Sequence, residues 1–169
     1  TNDDISDKFY FITKNILDQN KLKQYEISNF SRPTFQSKHN KIYWKSENWI
    51  GIGPGAVSRL WNSEKERIEI VNFKKPNVWL KNSLKSNLKF KNVKILEKRI
   101  VEEEILIMGL RLIEGIELGR FLKTNFLKSK EIQNLLKLRV LLLIDGKISI
   151  NTNYFEKHDL IIRKIIGNY

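Results

Sequence analysis

The stretch from Gln24 to Arg59 decides the fold, and it reads QYEISNF at residues 24–30, HNKIYW at residues 39–44 and GIGPGAVSR at residues 51–59. Apolar and polar residues alternate in the first segment, which predicts a short β-strand over residues 24–30. The apolar residues Ile50–Ile52 predict a second strand, and the glycines and proline that follow predict its exit loop. Ligands of α/β proteins bind where a strand ends in such a loop, but a plain turn has the same composition.

The segments on either side of this stretch predict helices and one further strand. Residues 3–20 predict an amphipathic helix, because the apolar residues recur at helical spacing, namely Ile5, Phe9, Ile12, Ile16 and Leu17. Residues 31–48 are polar and aromatic without a period, which predicts an irregular loop. Further along, the sequence predicts a strand over residues 67–73, a helix that begins at Pro76, and a basic linker over residues 82–94.

The C-terminal part predicts three helices, a hairpin and a closing helix. The expected helices cover residues 97–113, 117–126 and 130–141, and Ser129 is the expected N-cap of the third. Two apolar arms flank Asp145-Gly146, a strong signal for a β-hairpin over residues 142–150. Asn153 is the expected N-cap of a last helix that ends at Ile166. This order of elements is typical of a winged-helix unit.

Composition excludes several classes of site. The chain of 169 residues contains no cysteine, which excludes disulfides, thiolate zinc sites, cysteine nucleophiles and an iron–sulfur cluster held by this chain alone. With two histidines, an all-protein metal site is not expected. The chain starts with the polar residues TNDD rather than a secretory signal or Met, and no apolar window approaches a membrane span. A cytoplasmic protein, and a piece of a longer chain, are therefore expected.

The net charge of +12 has two interpretations. One is an anionic partner, either nucleic acid or a membrane surface. The other is the codon bias of an AT-rich genome, which favours Lys, Asn and Ile, and the scattered lysines agree with it. For a DNA-binding winged helix, residues 130–141 would be the recognition helix and residues 145–147 the wing, with phosphate contacts from Lys130, Lys137, Arg139 and Lys147.

Several motifs occur in the order seen in one protein family. They are YEISNF at 25–30, HNxxYW at 39–44, GIGPGA at 51–56 with Ser58-Arg59, NxxxP at 72–76 with Trp79-Leu80, and MGLRL at 108–112 with Glu114-Gly115. The chain resembles the C-terminal part of radical SAM proteins of the oxygen-independent coproporphyrinogen III oxidase-like family, especially the haem-chaperone (HemW-like) branch. Two positions depart from the family pattern, because Val57 stands where relatives usually have His and Ser37 where many have Cys.

The resemblance implies an α/β fold made of the terminal segments of an incomplete (β/α) radical SAM barrel and a mostly helical, winged-helix-like domain. The implied limits are residues 1–62 for the barrel end, 63–95 for a connecting segment and 96–169 for the C-terminal domain. The family's three-cysteine motif is absent here, so the [4Fe–4S] cluster and S-adenosylmethionine are expected only in the full-length parent. The N-terminal half of the barrel is then the expected partner, no catalytic residue is predicted in this chain, and whether it is an enzyme stays open.

The resemblance also implies two groups of site residues. His39, Asn40, Tyr43 and Trp44 are candidates for haem binding, since imidazole ligates haem iron and aromatic rings stack on porphyrins; alternatively, they only stabilise a long loop. Candidates for the pocket and rim of an S-adenosylmethionine site are Glu26, Asn29, Gly51, Gly53 and Gly55, or else these residues only pair with neighbouring strands and form turns. His158 lies among charged residues of the last helix and is predicted to be a solvated surface residue.

The expected parent function is that of a haem chaperone that passes haem to a client protein. A fragment of coproporphyrinogen III dehydrogenase, acting in porphyrin biosynthesis, is the alternative within the family. The alternative from another class is a nucleic-acid-binding winged-helix module. The client and the oligomeric state stay open.

Overall fold

The computed structural model describes residues 3–85, 90–121 and 126–167 and has a mixed α/β architecture. It divides into two compact units, the first formed by Thr1–Lys45 with Glu102–Tyr169 and the second by Ser46–Val101. The second unit is thus an insertion between the two halves of the first. Among the described ranges, no helix has the length and apolarity that crossing a membrane requires.

The first unit begins with helix α1 (Asp3–Gln19), which agrees with the predicted helix over residues 3–20. Its predicted core-facing side chains are nevertheless uncovered, since Phe9 is 66% exposed and Ile5, Ile12 and Ile16 are each about half exposed. The polar side of α1 is the anchored one. There Tyr10 Oη donates to Gln24 Oε1 at 3.0 Å, and Asp7 forms an ion pair with Lys157.

Two strands and a helix follow, where one strand and a loop were predicted. Strands β1 (Lys23–Glu26) and β2 (Asn29–Ser31) pair as an antiparallel hairpin. The single strand predicted over residues 24–30 is therefore wrong, because the Glu26 carboxylate accepts from the Ser28 amide and the Asn29 side chain and so stabilises a reversal. The irregular loop predicted over residues 31–48 contains helix α2 (Lys38–Trp44), whose N-cap is Ser37.

The C-terminal half of the first unit holds the larger core. It contains the end of α4 (Lys98–Gly109), then α5 (Lys130–Lys137) and α6 (His158–Ile166), together with short 3-10 helices at 118–120, 126–128 and 152–157. Strands β6 (Ile116–Glu117), β7 (Leu141–Ile144) and β8 (Lys147–Ile150) form an antiparallel sheet in the order β6-β8-β7. Side chains almost fully buried here include Leu106, Leu110, Ile132, Leu141, Ile148, Phe155 and Ile165.

The predicted hairpin is confirmed, and Asp145 and Gly146 have φ of 48° and 73°, as a two-residue hairpin turn requires. Ser129 occupies the predicted N-cap position of α5, but its side chain makes no capping hydrogen bond. Four helix boundaries differ. Helix α5 ends at Lys137 rather than at residue 141, because Leu141 begins β7. Helix α4 stops at Gly109 because the chain then pairs with β1, with Ile27 N bound to Arg111 O and Ile113 N to Tyr25 O. The helix predicted over 117–126 is β6 and a 3-10 turn, with residues 122–125 outside the described residues. The last helix, α6, begins at His158 rather than after Asn153, and Asn151 instead caps the 3-10 helix over 152–157 by accepting from the Asn153 amide.

In its described residues, the second unit holds an antiparallel sheet of three strands, one complete helix and the first turn of α4. Strands β3 (Val57–Trp61), β4 (Arg67–Val71) and β5 (Asn92–Ile95) lie in sequence order, and helix α3 is Pro76–Lys85. The strand over 67–73 and the helix that begins at Pro76 are confirmed. The predicted linker over 82–94 instead holds the end of α3 and most of β5, with residues 86–89 outside the described residues.

The strand predicted over Ile50–Ile52 does not form. Trp49 makes an isolated bridge to Arg59, while Ile50 and Ile52 are 73% and 87% exposed. The loop is stabilised by a side chain instead of a ladder, because Asn72 Nδ2 donates to the carbonyls of Gly51 and Gly53 at 3.3 and 2.8 Å. Nearby, the guanidinium of buried Arg67 lies 4.9 Å from the ring of Trp49 and 4.9 Å from that of Trp61.

The described strand pairs are all antiparallel, whereas the strands of a (β/α) barrel are parallel. The barrel end, the winged-helix domain and the domain limits at 62 and 95 therefore stay predictions. The segment over residues 63–95 carries β4, α3 and β5, so it contains regular secondary structure, and β4 pairs with β3 outside the segment.

Candidate functional site

Helix α2 and the turn before it form the candidate site, and hydrogen bonds fix where α2 begins. The Phe35 amide donates to the Arg32 carbonyl at 3.1 Å, which closes a four-residue turn. The Ser37 amide donates to Tyr25 Oη at 3.3 Å, and the Ser37 hydroxyl accepts from the Asn40 amide at 3.3 Å. The start of α2 is therefore tied to β1, the strand that belongs to the core.

One side of α2 is anchored by charge. Lys41 and Lys45 form ion pairs with Glu114 at 3.4 and 3.0 Å, and Arg120 Nη1 donates to the Lys45 carbonyl. Partial burial alone would raise the pKa of Glu114, but the hydrogen bond and charge of Lys45, with Lys41, hold that pKa below its usual value. The Arg111 guanidinium lies 4.4 Å from the Trp44 ring centroid, a cation–π distance.

The other side of α2 faces solvent and carries His39. The His39 ring is exposed and meets the Tyr43 ring edge-on, with centroids 5.0 Å apart and planes at 77°. Of the four predicted haem-site residues, the structure brings His39 and Tyr43 together, since positions i and i+4 of a helix are neighbours. Trp44 lies beneath Arg111 instead, and the Asn40 backbone amide belongs to the N-cap. An exposed imidazole beside an aromatic ring fits the iron and the face of a porphyrin.

The candidates Glu26 and Asn29 have structural partners. Glu26 is fully buried, and its Oε1 accepts from the Ser28 amide at 3.0 Å and from Asn29 Nδ2. Its Oε2 lies 3.8 Å from Arg111 Nη2. Both carboxylate oxygens thus face the first unit's own residues, and contact with S-adenosylmethionine stays a prediction.

The three glycines predicted as a rim belong to the second compact unit. A Cβ on Gly51 would meet the Val57 carbonyl oxygen at 2.6 Å, so this glycine permits close backbone approach. Gly53 and Gly55 have φ of 107° and 72°, which favours glycine in the turn. These are backbone roles in one loop, and the proposed rim of a cofactor site stays a prediction.

His158 is not the surface residue that the sequence predicted, because it is 3% exposed. Its Nδ1 lies 3.2 Å from Asp159 Oδ1, and its ring meets that of Phe155 edge-on at 6.4 Å. Burial lowers the pKa of His158, the charge of Arg111 lowers it further, and Asp159 and Glu26 act in the opposite direction. The sequence contains a signal for this burial that was missed. Residues 158, 161, 162 and 165 recur at helical spacing and form one buried stripe of α6.

Arg111 is the other residue that sequence reasoning missed. It lies at once over Trp44, beside Glu26 and close enough to His158 to affect its pKa. Its position follows from the early end of α4, which turns residues 110–113 towards β1.

Comparisons with known proteins give relatives of one kind. No protein-family model matches the chain. Radical S-adenosyl methionine domain-containing protein 1, mitochondrial, of Danio rerio is 32% identical over 154 residues, which cover 85% of this chain and 35% of that protein. The haem chaperone HemW of Lactococcus lactis is 31% identical over 160 residues, covering 88% of this chain and 40% of that protein. The chain thus spans roughly two fifths of the length of these relatives.

A solved structure shares the fold. The radical SAM enzyme coproporphyrinogen III oxidase (HemN) from Escherichia coli superposes with a TM-score of 0.61 over 94% of this chain and 39% of that chain, at 14% identity. The likeness at this identity concerns the fold alone, and the mixed α/β prediction is confirmed by it.

Proposed function

Because the chain belongs to the radical SAM family that includes HemW and radical S-adenosyl methionine domain-containing protein 1, we propose that it is the C-terminal portion of a haem chaperone and binds haem through His39. Haem would be its cargo, to be passed to a client protein. The observation that carries the proposal is the asymmetry of α2, which is tied to the core on one side and presents His39 to solvent on the other.

This asymmetry suits a chaperone for physical reasons. An exposed imidazole can ligate iron without a buried pocket, so cargo can be released to a client without unfolding of the carrier. Tyr43 offers an aromatic edge to the porphyrin from the next turn of the helix. The anchors on Lys41, Trp44 and Lys45 preorganise the helix, which lowers the ordering cost of binding.

The family's other cofactors would reside elsewhere. A radical SAM protein uses S-adenosylmethionine and a [4Fe–4S] cluster, and this chain has no cysteine to hold the cluster. Both would bind to the remaining part of a full-length family member. Coproporphyrinogen III oxidation and nucleic-acid binding stay the alternatives, and no contact within the described ranges favours either. A cytoplasmic location also stays a prediction, since some relatives are named mitochondrial.

The exposed face of α1 is where that remaining part of the protein is proposed to pack. Ile5, Phe9, Ile12 and Ile16 lie on one side of the helix and are about half exposed or more. Burial of this stripe would supply apolar contact area, the main favourable term in association. Adding a separately produced N-terminal half should slow amide hydrogen exchange along α1, and unchanged exchange would oppose the proposal.

Haem titration tests the function. The unmodified chain, called the parent in these titrations, should show a shifted Soret band that saturates. His39→Ala should lose the shift while retaining its fold, because His39 is exposed. Phe9→Ala is the matched control for stacking on exposed apolar side chains, and it should titrate like the parent. If His39→Ala binds haem with the parent's spectrum and affinity, the proposal is wrong.

A further inference from the structure

The cations around His39 are neutralised unequally. The segment that contains the turn and α2 carries four of them, Arg32, Lys38, Lys41 and Lys45. Glu114 pairs with the last two at 3.4 and 3.0 Å. Arg32 and Lys38 are exposed, and within residues 3–85, 90–121 and 126–167 no carboxylate lies at salt-bridge distance from either. Two positive charges without a carboxylate partner therefore precede the exposed imidazole along the chain.

Both cations precede His39 in a segment whose backbone is ordered by hydrogen bonds. The hydrogen bond from the Phe35 amide to the Arg32 carbonyl holds the two Cα atoms within roughly 7 Å. Thr34 has φ of 72°, a rare conformation for a β-branched residue, as the third position of this turn requires. Phe35 is 77% exposed, although it lies in an ordered turn. Lys38 directly precedes His39 in the first turn of α2.

An apolar ring, an imidazole and two free cations match one amphiphilic ligand. Haem has a planar apolar macrocycle, an iron atom and two propionate carboxylates. Arg binds carboxylates bidentately, and Lys binds them as a point charge. We propose that Arg32 and Lys38 bind the propionates of haem whose iron is held by His39, with Phe35 against the porphyrin. This inference rests on the function proposed above and identifies the groups that select a carboxylated tetrapyrrole.

The experiment compares one ligand that has the carboxylates with one that lacks them. Haem and haem dimethyl ester are titrated into the parent, into Arg32→Gln/Lys38→Gln and into the control Lys8→Gln/Lys75→Gln, which loses the same net charge at exposed lysines elsewhere. The first variant should bind haem about tenfold more weakly than the parent, as expected for two exposed ion pairs. Its Soret position should not change, because His39 still ligates the iron. The control should match the parent.

The ester separates the two proposals. It should bind the parent and both variants equally, because it has no carboxylates for Arg32 and Lys38 to bind. If the double variant binds haem as tightly as the parent, or loses the ester as well, the role of Arg32 and Lys38 is overturned while binding through His39 stands. If His39→Ala already titrates like the parent, the proposed function itself fails.

Discussion

The two histidines of this chain, His39 and His158, have the same side chain and opposite surroundings. His39 lies on α2 with its ring exposed to solvent beside Tyr43. His158 begins α6, is 3% exposed, and lies among Phe155, Asp159 and the charges of Arg111 and Glu26. The exposed ring is available to a ligand, whereas the buried ring is tied to the stability of the first unit. Burial, more than residue type, therefore separates a binding candidate from a structural residue.

The surroundings of His158 are unusual in their hydrogen bonding. Four buried atoms there have no hydrogen-bond partner, namely Glu26 Oε2, Arg111 Nε, Trp44 Nε1 and His158 Nε2. Glu26 and His158 each have a partner on their other polar atom, and Arg111 lies 3.8 Å from Glu26 Oε2 and over the Trp44 ring. Because Glu26 is fully buried, it should respond strongly when the charge of Arg111 is removed.

Removing Arg111 should have the largest effect. Arg111→Ala leaves the fully buried Glu26 carboxylate without its cation, which costs on the order of 3–5 kcal/mol in a buried pair. Denaturant unfolding followed by circular dichroism measures the change. Arg163→Ala, an exposed arginine on α6, should change stability by less than about 0.5 kcal/mol. Equal losses of unfolding free energy for the two variants would show that the contacts of Arg111 with Glu26 and Trp44 do not stabilise the fold.

Acid should lower the stability of the fold through His158, by less than the loss expected for Arg111→Ala. Because the folded-state pKa of His158 is lowered, the unfolded chain binds its proton more readily, so stability is present above about pH 6.5 and is lost as the pH falls below it. The slope from one proton is at most about 1.4 kcal/mol per pH unit. Unfolding at pH 7.5 and 5.5 measures it. His158→Gln should flatten the dependence, and a dependence that this substitution leaves unchanged would contradict the burial of His158.

The anchor of α2 should have the smallest effect. Glu114→Gln removes the ion pairs to Lys41 and Lys45, but the Glu114 side chain is 43% exposed, so solvent screening limits the loss to less than about 1 kcal/mol. Amide hydrogen exchange should become faster along α2 and stay unchanged along α5. Unchanged exchange in α2 would show that its other anchors, the Arg111–Trp44 contact and the Arg120 bond to the Lys45 carbonyl, fix the helix.

Elements whose determinants are local were predictable from the sequence. Helix α1 follows from apolar periodicity, the hairpin from Asp145-Gly146 and the start of α5 from Ser129. His39 and Tyr43 were grouped only through the family resemblance, and the i, i+4 relation that brings their rings together was not predicted, because this segment was predicted as a loop. The helix itself was missed, although Ser37 provides an N-cap signal.

The remaining errors come from long-range contacts. Whether residues 24–30 extend or reverse depends on where the Glu26 side chain finds its partners. The conformation of residues 50–52 depends on hydrogen bonds from the side-chain amide of Asn72, which is about twenty positions away in the sequence. The end of α4 is set by pairing with β1, more than eighty positions earlier. Periodicity cannot report such contacts, since each depends on chain segments that only the fold brings together.

The division of the four tryptophans between the two units has an optical consequence. Trp44, beneath Arg111, is the sole tryptophan of the first unit, while Trp49, Trp61 and Trp79 belong to the second. Intrinsic emission can therefore be divided between the units by replacing either set with phenylalanine. A chain that retains Trp44 alone would carry its own fluorescent probe one residue from Tyr43, so quenching of that indole by energy transfer would measure the proposed haem binding without any added label.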